Sequence, residues 1–262
     1  MSIFLSIKRL FKQSAIYGIG HILSRAMNFL LIPLHTNYYA KAFMGVSGIV
    51  YAYIGSFKII YTFGLDAAFF RFYMGTESRE ERQRIFTTSF LTILAVASVF
   101  TFAIYSGADW IAQNIFKAET QQLDVDLPLL IRLASLILFF DALAFMNLLI
   151  LRAEEKPLIY SIFTLSNVLI TIAANVVFVI VLKQGVEAIF YANLLASSLT
   201  FFIVLPLGIK HLRLTFSGSL LKELFVFGIP YLPSTLAIWA MDSIDRIFLE
   251  RMIDAETSGL FS

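Results

Sequence analysis

The chain alternates long apolar runs with short polar segments. Seven runs are long enough to cross the hydrocarbon core of a bilayer as α-helices: 13–35, 43–65, 85–105, 127–151, 157–182, 186–209 and 221–249. The polar breaks between them are too short to hold a soluble domain. The pattern therefore predicts an all-α polytopic membrane protein with seven spans, numbered 1 to 7 in chain order.

Composition supports the same class. Of the 262 residues, 59% are apolar and 15% are charged, whereas soluble domains usually carry about a quarter charged residues. This excludes a secreted enzyme, a cytosolic Rossmann enzyme and a nucleic-acid-binding module. The chain has no cysteine, and His21, His35 and His211 are too scattered to suggest a metal cluster. We therefore predict no metal and no cofactor.

Lysine and arginine residues are concentrated in alternate loops. Cytoplasmic loops retain these residues, so their distribution indicates orientation. Twelve lie at the N-terminus and near the loops after spans 2, 4 and 6, namely Lys8, Arg9, Lys12, Arg71, Arg79, Arg82, Arg84, Arg152, Lys156, Lys210, Arg213 and Lys222. The opposite loops hold three, namely Lys41, Lys117 and Lys183. The bias predicts a cytoplasmic N-terminus.

The first and last spans begin alike. Residues 11–24 align without gaps with residues 221–234, with four identities in fourteen positions. Both segments leave the cytoplasm in the same direction, as a parallel repeat of six helices requires. We therefore predict a six-helix lobe over 13–209, and a cytoplasmic linker with the first helix of a truncated second lobe over 210–262. Residues 1–12 mix apolar and basic positions without a cleavage site and are predicted to form an interfacial amphipathic helix.

A polar face with a charge at its centre runs along span 1. Ser14, Gly18, His21, Arg25 and Asn28 are separated by three or four residues, so they share one face of a helix. Arg25 lies about 18 Å from one end of the span and about 15 Å from the other, and its side chain can extend only part of that distance toward water. The pattern favours an aqueous cleft beside this face. The alternative is that Arg25 pairs with an acidic residue and stabilises the bundle.

Acidic residues within the spans have several possible roles. Asp141 is predicted near mid-membrane in span 4, where it is protonated, coupled to an ion, or paired with a base such as Arg25. In span 7, Asp242 and Arg246 are four residues apart and can neutralise each other, which leaves Asp245 as the freer carboxylate. The sequence leaves these alternatives open.

Two further spans carry polar faces. The face of span 2 leads to Asp66 and contains Tyr51, Gly55, Lys58 and Thr62. Lys58 either lines the same cleft or extends to the cytoplasmic interface. The face of span 5 has no charge and contains Tyr160, Thr164, Asn167 and Thr171. Such neutral residues commonly join helices by hydrogen bonds, so packing is favoured over a site there.

Prolines are predicted to interrupt the first and last spans. Pro33 lies near the end of span 1, and Pro230 and Pro233 lie within span 7. Enzyme motifs are missing: the sequence has no Walker A run, no HExxH, no GxSxG and no carboxylate pair on a long loop. The chain is therefore not expected to be an enzyme.

Residues 64–73, GLDAAFFRFY, resemble the GL..A..R.Y signature of bacterial oligosaccharide-lipid flippases. These proteins belong to the multidrug/oligosaccharidyl-lipid/polysaccharide exporter superfamily. The region around Arg25 and Pro33, the segment 227–234 and the closing segment 245–262 agree with this family. The resemblance implies a MATE-like fold of two six-helix lobes, of which this chain holds the N-terminal one.

The resemblance further implies a flippase. It moves a polyprenyl-diphosphate-linked oligosaccharide from the cytoplasmic to the outer leaflet of the bacterial inner membrane by alternating access, for cell-surface polysaccharide synthesis. Its expected partners are this lipid-linked substrate, membrane lipids, and a glycan polymerase and glycosyltransferases. The expected substrate-binding residues are His21, Arg25, Asn28 and Lys58, and the expected ion-coupling or gating residues are Asp66, Asp141, Asp242 and Asp245.

Other functions remain as alternatives. A drug or metabolite exporter of the same superfamily, driven by sodium or protons, favours a carboxylate at the centre of the first lobe, where this chain has Arg25. A membrane-embedded glycan polymerase or transferase needs a long outer loop with catalytic carboxylates. A scaffold without transport activity is the third alternative.

Overall fold

In the computed structural model, residues 3–116, 125–213 and 215–241 are described. Within them, seven helical segments are long and apolar enough to cross a membrane. They are Ser14–Tyr38, Lys41–Thr62, Arg79–Ser106, Leu127–Ala153, Pro157–Val181, Glu187–Ile209 and Gly218–Met241. The predicted number and order of the spans are confirmed, and these segments keep the numbers 1 to 7.

Shorter helices extend or connect the spans. The helices are α1 Ile3–Phe29, α2 Leu31–Tyr38, α3 Lys41–Thr62, α4 Leu65–Met74, α5 Arg79–Ser106, α6 Ala108–Ile115, α7 Leu127–Ala153, α8 Pro157–Asn175, α9 Glu187–Ile209 and α10 Gly218–Gly228. A π-helix, Val176–Val181, extends span 5, and a 3₁₀ turn, Ile229–Tyr231, interrupts span 7. The start of α1 is continuous with span 1, and the interfacial location of residues 1–12 stays a prediction.

The breaks in the first and last spans lie at the predicted prolines. α1 ends at Phe29, four residues before Pro33. Proline has no N–H to donate to the carbonyl of Phe29, and its ring collides with that carbonyl. In span 7, the 3₁₀ turn contains Pro230. Both interruptions are therefore direct effects of the sequence.

Span 4 is the centre of the bundle. Of its most apolar window, 72% is buried, against 12% for span 1 and 11% for span 7. Span 4 packs against spans 2, 3 and 6, and span 1 packs mainly against span 5. Gly20 allows this second contact, because a Cβ at that position would lie 2.8 Å from the Ser161 hydroxyl oxygen. Spans 1 and 7 therefore leave most of their surfaces uncovered by the described lobe.

The loops after spans 2, 4 and 6 meet at one end of the bundle, which we call the basic face. An ion pair joins Arg213 to Glu80 at 3.0 Å, and Glu154 contacts His211 at 3.0 Å and Lys156 at 2.6 Å. Burial raises the pKa of Glu154, but the hydrogen bonds from Lys156 and His211 outweigh it, so the net pKa lies below its usual value. The carboxylate of Glu154 is thus the common partner of two loops.

The linker before span 7 is attached to the start of span 3. The backbone N–H of Arg213 donates to the Thr87 hydroxyl at 2.9 Å, and Arg84 donates to the Ser217 hydroxyl at 2.6 Å. Ser217 also caps α10 by accepting from the N–H of Leu220 at 3.4 Å. These bonds fix where span 7 begins relative to the six preceding spans.

At the other end, the opposite face, the remaining loops meet. The Tyr39 hydroxyl donates to the carbonyl of Gly185 at 2.9 Å, and Arg132 pairs with Asp109 at 2.6 Å. The two sets of loops therefore lie at separate ends of the bundle, as the alternating distribution of basic residues predicts.

Candidate functional site

A cavity of about 340 Å³ lies between spans 2 and 7, and we call it the junction cavity. Its wall from span 2 and the following turn includes Lys58, Thr62 and Asp66, and its wall from span 7 includes Thr235 and Trp239. Lys58 is exposed and Asp66 is half-buried. Among the described residues, neither forms an ion pair. Two opposite charges thus face one cavity without neutralising each other directly.

Trp239 of span 7 forms part of the wall of the junction cavity. Its indole N–H donates to the carbonyl of Ala52 at 3.2 Å. A Cβ built on Gly55 would lie 3.0 Å from the same indole nitrogen, so a larger residue there would displace the ring. Span 7 therefore contacts span 2 directly through this ring.

Two glycines make a second contact beside the junction cavity, namely Gly64, which lines it, and Gly228 of span 7. Gly64 has φ +68°, and a Cβ on it would collide with the carbonyl oxygen of Gly228. A Cβ on Gly228 would lie 2.8 Å from the carbonyl oxygen of Gly64. Phe63 and Phe225 pack edge to face beside them, with ring centroids 6.1 Å apart. Only residues without a side chain allow the two backbones to approach this closely.

The signature at 64–73 forms this junction. Its arginine, Arg71, lies 4.7 Å above the ring centroid of Phe227 in span 7. Its tyrosine, Tyr73, is buried, and burial raises the pKa of Tyr73 to about 12. Glycine and arginine of the signature thus contact span 7, while its tyrosine packs inside the first lobe.

Arg25 lies outside the junction cavity. Its side chain is exposed on span 1, whereas Gly20 and Ser24 of the same helix are buried. Nothing lies within 4 Å of a Cβ built on Gly18, on the predicted polar face. In the described part of the chain, Arg25 has no ion pair, so the alternative pairing with Asp141 is not found. At Gly18 and Arg25, the predicted polar face of span 1 is therefore not packed against other described helices.

Of the other predicted site residues, the structure describes the side chain of Asp141, which does not line the junction cavity. Asp141 is half-buried in span 4 and interacts electrostatically with the hydroxyl of Tyr51. His21 and Asn28 belong to α1, and their side chains lie outside the described part of the structure. Asp242 and Asp245 also lie outside the described residues. Of the predicted substrate-binding and ion-coupling residues, Lys58 and Asp66 line the same cavity.

A second cavity of about 360 Å³, which we call the lobe cavity, lies among spans 1, 2, 5 and 6. Its polar side chains are hydrogen-bonded to one another. His35 Nε2 lies 2.8 Å from Asn175 Oδ1, and Asn193 donates to the Tyr51 hydroxyl at 2.9 Å. Beside them, Asn167, which also lines this cavity, donates to the Thr200 hydroxyl at 2.9 Å. These bonds join different spans.

His35, Asn175 and Asn193 were not among the predicted site residues. A signal for Asn175 was present, because it extends the span 5 polar face four residues beyond Thr171. His35 and Asn193 carry no comparable pattern. In the segments that the structure describes, no group of three or more His, Cys, Asp or Glu residues is placed to hold a metal ion.

Residues 10–262 match the model of the polysaccharide biosynthesis protein family. The chain belongs to this family. The predicted family resemblance is thus confirmed at the level of this family, and no curated protein matches the chain.

Solved structures of transporters share the fold of this chain. A transporter from Pyrococcus furiosus, described as having a binding pocket of reverse polarity, superposes with a TM-score of 0.71 at 19% identity, over 94% of this chain and 54% of that chain. MATE in the straight conformation superposes with a TM-score of 0.74 at 18% identity, over 97% of this chain and 58% of that chain.

An outward-facing multidrug resistance MATE transporter gives a TM-score of 0.67 at 18% identity, over 88% of this chain and 52% of that chain. The chain thus spans about half the length of the transporters that it matches. The predicted fold, a MATE-like lobe of six spans followed by the first span of a second lobe, is confirmed.

Proposed function

We propose that this protein is a flippase that moves polyprenyl-diphosphate-linked oligosaccharide between leaflets by alternating access, without catalysis. The observation that carries the proposal is the junction cavity. It lies where the first lobe meets span 7, and it presents the ammonium group of Lys58 with no described acidic partner. An anionic diphosphate supplies the partner that this cation lacks, because charges away from bulk water are stable only when paired.

Arg25 adds a second cation in this proposal. Its guanidinium is exposed on the side of span 1 that the described residues leave open, where a second lobe would face it. Guanidinium groups bind two phosphate oxygens at once. The glycan hydroxyls then meet neutral polar groups, and the polyprenyl tail remains in the bilayer.

Alternating access requires the junction to part and close. Beside the junction cavity, the contacts that would part are two glycines, edge-to-face rings and one indole hydrogen bond, while Leu224 of span 7 stays buried in the core of the first lobe. Asp66 faces the same cavity as Lys58. A proton or cation on Asp66 reduces its repulsion of the diphosphate, and so links ion binding to substrate binding.

The basic face is placed at the cytoplasm in this proposal, since cytoplasmic loops retain lysine and arginine. The N-terminus then lies in the cytoplasm of a bacterium, and the glycan leaves through its inner membrane. Introduced cysteines test the orientation directly, because the chain has none of its own. A single cysteine at Glu77 should react with a membrane-impermeant maleimide only in inside-out vesicles.

Reconstitution tests the substrate. The full-length protein is placed in liposomes with a fluorescent polyprenyl diphosphate disaccharide, and dithionite quenching reports movement between leaflets. We expect faster movement than in protein-free liposomes. Equal rates in both would contradict the flippase.

Mutation of Arg25 tests the mechanism. Arg25→Ala should abolish glycan export in cells while leaving membrane insertion intact, and Arg25→Lys should keep part of it. Arg79→Ala, an exposed arginine of the basic face, is the matched control. Wild-type export by Arg25→Ala would refute the role of this residue.

A cation-coupled drug or metabolite exporter is the second candidate, because the fold is shared with a multidrug resistance transporter. The cations Lys58 and Arg25 disfavour the cationic substrates of such an exporter. The same liposomes separate the two functions: uptake of a cationic dye driven by a sodium or proton gradient, without movement of the lipid-linked sugar, would favour the exporter.

A further inference from the structure

At the basic face lies a guanidinium that has no ion pair with the described residues and that does not line the junction cavity. Arg152 is in the last turn of α7, and its side chain is exposed. Its guanidinium carbon lies 5.1 Å from the ring centroid of Phe70 and 5.8 Å from that of Tyr160. These rings belong to α4 and α8, so two helices besides its own hold this side chain in place.

A third helix reaches the same place. Tyr17 of α1 packs edge to face on Tyr160, with ring centroids 5.5 Å apart, and interacts electrostatically with Arg152 and, less strongly, with Glu155. The hydroxyl of Tyr17 is buried and has no hydrogen-bond partner among the described residues. Buried hydroxyls are usually satisfied. With respect to the described residues, the aromatic cluster around Arg152 therefore contains a cation without an ion pair and a hydroxyl without a hydrogen bond.

The arginine at the other end of the same helix is different. Arg132 donates to Asp109 at 2.6 Å and lies 5.9 Å from the ring centroid of Tyr105. Arg132 and Arg152 are separated by about 30 Å along the helix, which is about the thickness of the hydrocarbon core. Both arginines thus lie at the height of lipid headgroups with an aromatic neighbour, but only Arg132 has an acid from the described chain.

We propose that Arg152, with Phe70, Tyr160 and Tyr17 around it, is a binding site for a lipid-borne phosphate in the leaflet at the basic face. The rings keep the guanidinium at the depth of the headgroups and leave its N–H groups free for phosphate oxygens. A phosphate there supplies the negative charge that Asp109 supplies to Arg132. The lipid is an anionic phospholipid or the diphosphate lipid of the proposed function, and the second source rests on that function.

Lipid binding to the purified full-length protein tests the site. Thermophoresis measures the Kd for a polyprenyl diphosphate and, separately, for phosphatidylglycerol, both in neutral detergent. In this binding assay all variants carry Lys58→Ala, so that binding at the junction cavity does not mask the second site, whereas the export measurements use Arg152→Gln with Lys58 intact. Arg152→Gln is compared with Arg152→Lys and with Arg132→Gln, the matched control on the same helix. Thermal unfolding midpoints show that each variant is folded.

Arg152→Gln should weaken binding by about tenfold, the usual effect of losing a hydrogen bond to a charged group. The Kd of Arg152→Lys should lie between those of wild type and Arg152→Gln, because lysine keeps the charge but lacks the planar guanidinium group. Weaker binding of both lipids identifies a general headgroup site, and weaker binding of one identifies that lipid as the occupant. Unchanged Kd values for both lipids, or an equal loss in Arg132→Gln, would overturn the proposal.

Export in cells separates this inference from the proposed function. If Arg152→Gln loses lipid binding but exports glycan normally, the occupant is a phospholipid and the flippase is unaffected. If full-length protein moves no lipid-linked sugar in liposomes while Arg152→Gln still weakens phosphatidylglycerol binding, the flippase fails and the headgroup site stands.

Discussion

Span 2 lines two cavities of similar size in succession, and their chemistry differs. The lobe cavity, about 360 Å³, takes Tyr51 from this span, while the junction cavity, about 340 Å³, takes Lys58. Polar groups of the lobe cavity bond one another across spans, as His35 does with Asn175. In the junction cavity, Lys58 and Asp66 have no ion-pair partner in the part of the chain that is described.

The difference indicates two roles for polar groups within a membrane. Neutral groups that satisfy each other hold spans together, because no water competes for their hydrogen bonds. Charged groups left without a partner add no such stability and are retained where a ligand, an ion or water meets them. We therefore expect changes in the lobe cavity to affect stability and changes in the junction cavity to affect transport.

The largest effect on export is expected from a substitution of Gly64, which lines the junction cavity. Gly64→Val introduces a β-branched residue at φ +68° and forces its side chain into the Gly228 carbonyl. The backbone strain alone costs about 1–3 kcal/mol, and the collision separates span 7 from span 2. Export should be lost, measured as surface glycan per folded protein.

Gly218→Ala is the matched control for Gly64, because nothing lies within 4 Å of a Cβ at this position at the start of span 7. It should export normally. Normal export by Gly64→Val would show that transport does not need the close contact of the two glycines. It would contradict the expectation that changes at the junction cavity affect transport.

The second effect concerns the charge of the junction cavity. Lys58→Ala removes the cation and should lower the export rate about tenfold or more, as the loss of a charged hydrogen-bond donor does, with little change in thermal stability. Lys58→Arg should restore part of the rate. Lys41→Ala, on the same helix but at the opposite face, should export as wild type does. If Lys58→Ala lost stability but kept export, Lys58 would have a structural role and not a transport role.

The third effect concerns the lobe cavity. Asn175→Leu leaves His35 without its partner and should cost about 1 kcal/mol, since hydrogen bonds between spans have modest net values. The thermal midpoint in detergent should fall by a few degrees, while export per folded molecule should persist. Loss of export at an unchanged midpoint would assign a transport role to the lobe cavity as well.

The contrast between the cavities was partly predictable. The apolar runs predicted the seven spans, because a helix must be long and apolar to cross a bilayer. Pro33 predicted the interruption of span 1, which follows Phe29. The spacing of Tyr51 and Lys58 correctly indicated one polar face of span 2. It did not show that this face passes from spans 5 and 6 to span 7 along its length, because spacing within one helix says nothing about its neighbours.

Other parts of the site depended on tertiary contacts. Gly64 and Gly228 each mark a permissive backbone in the sequence, but their mutual approach is a tertiary contact, like the hydrogen bond from the Arg213 N–H to Thr87. Likewise, the choice between an open Arg25 and its pairing with Asp141 depends on the relative rotation of spans 1 and 4. Such rotations are set by packing across the bundle, which no local pattern encodes.

The smallest effect lies outside both cavities, at Glu154. Its pKa is lower in the folded protein than in the unfolded chain, so it stabilises the fold above the unfolded pKa, and this contribution is lost as the pH falls through the folded pKa. Glu154→Gln should cost less than about 1 kcal/mol at neutral pH, because the carboxylate is partly exposed. In acid, the thermal midpoints of wild type and variant should converge. A variant whose midpoint stays equally far below wild type at low pH would show that Glu154 acts through packing.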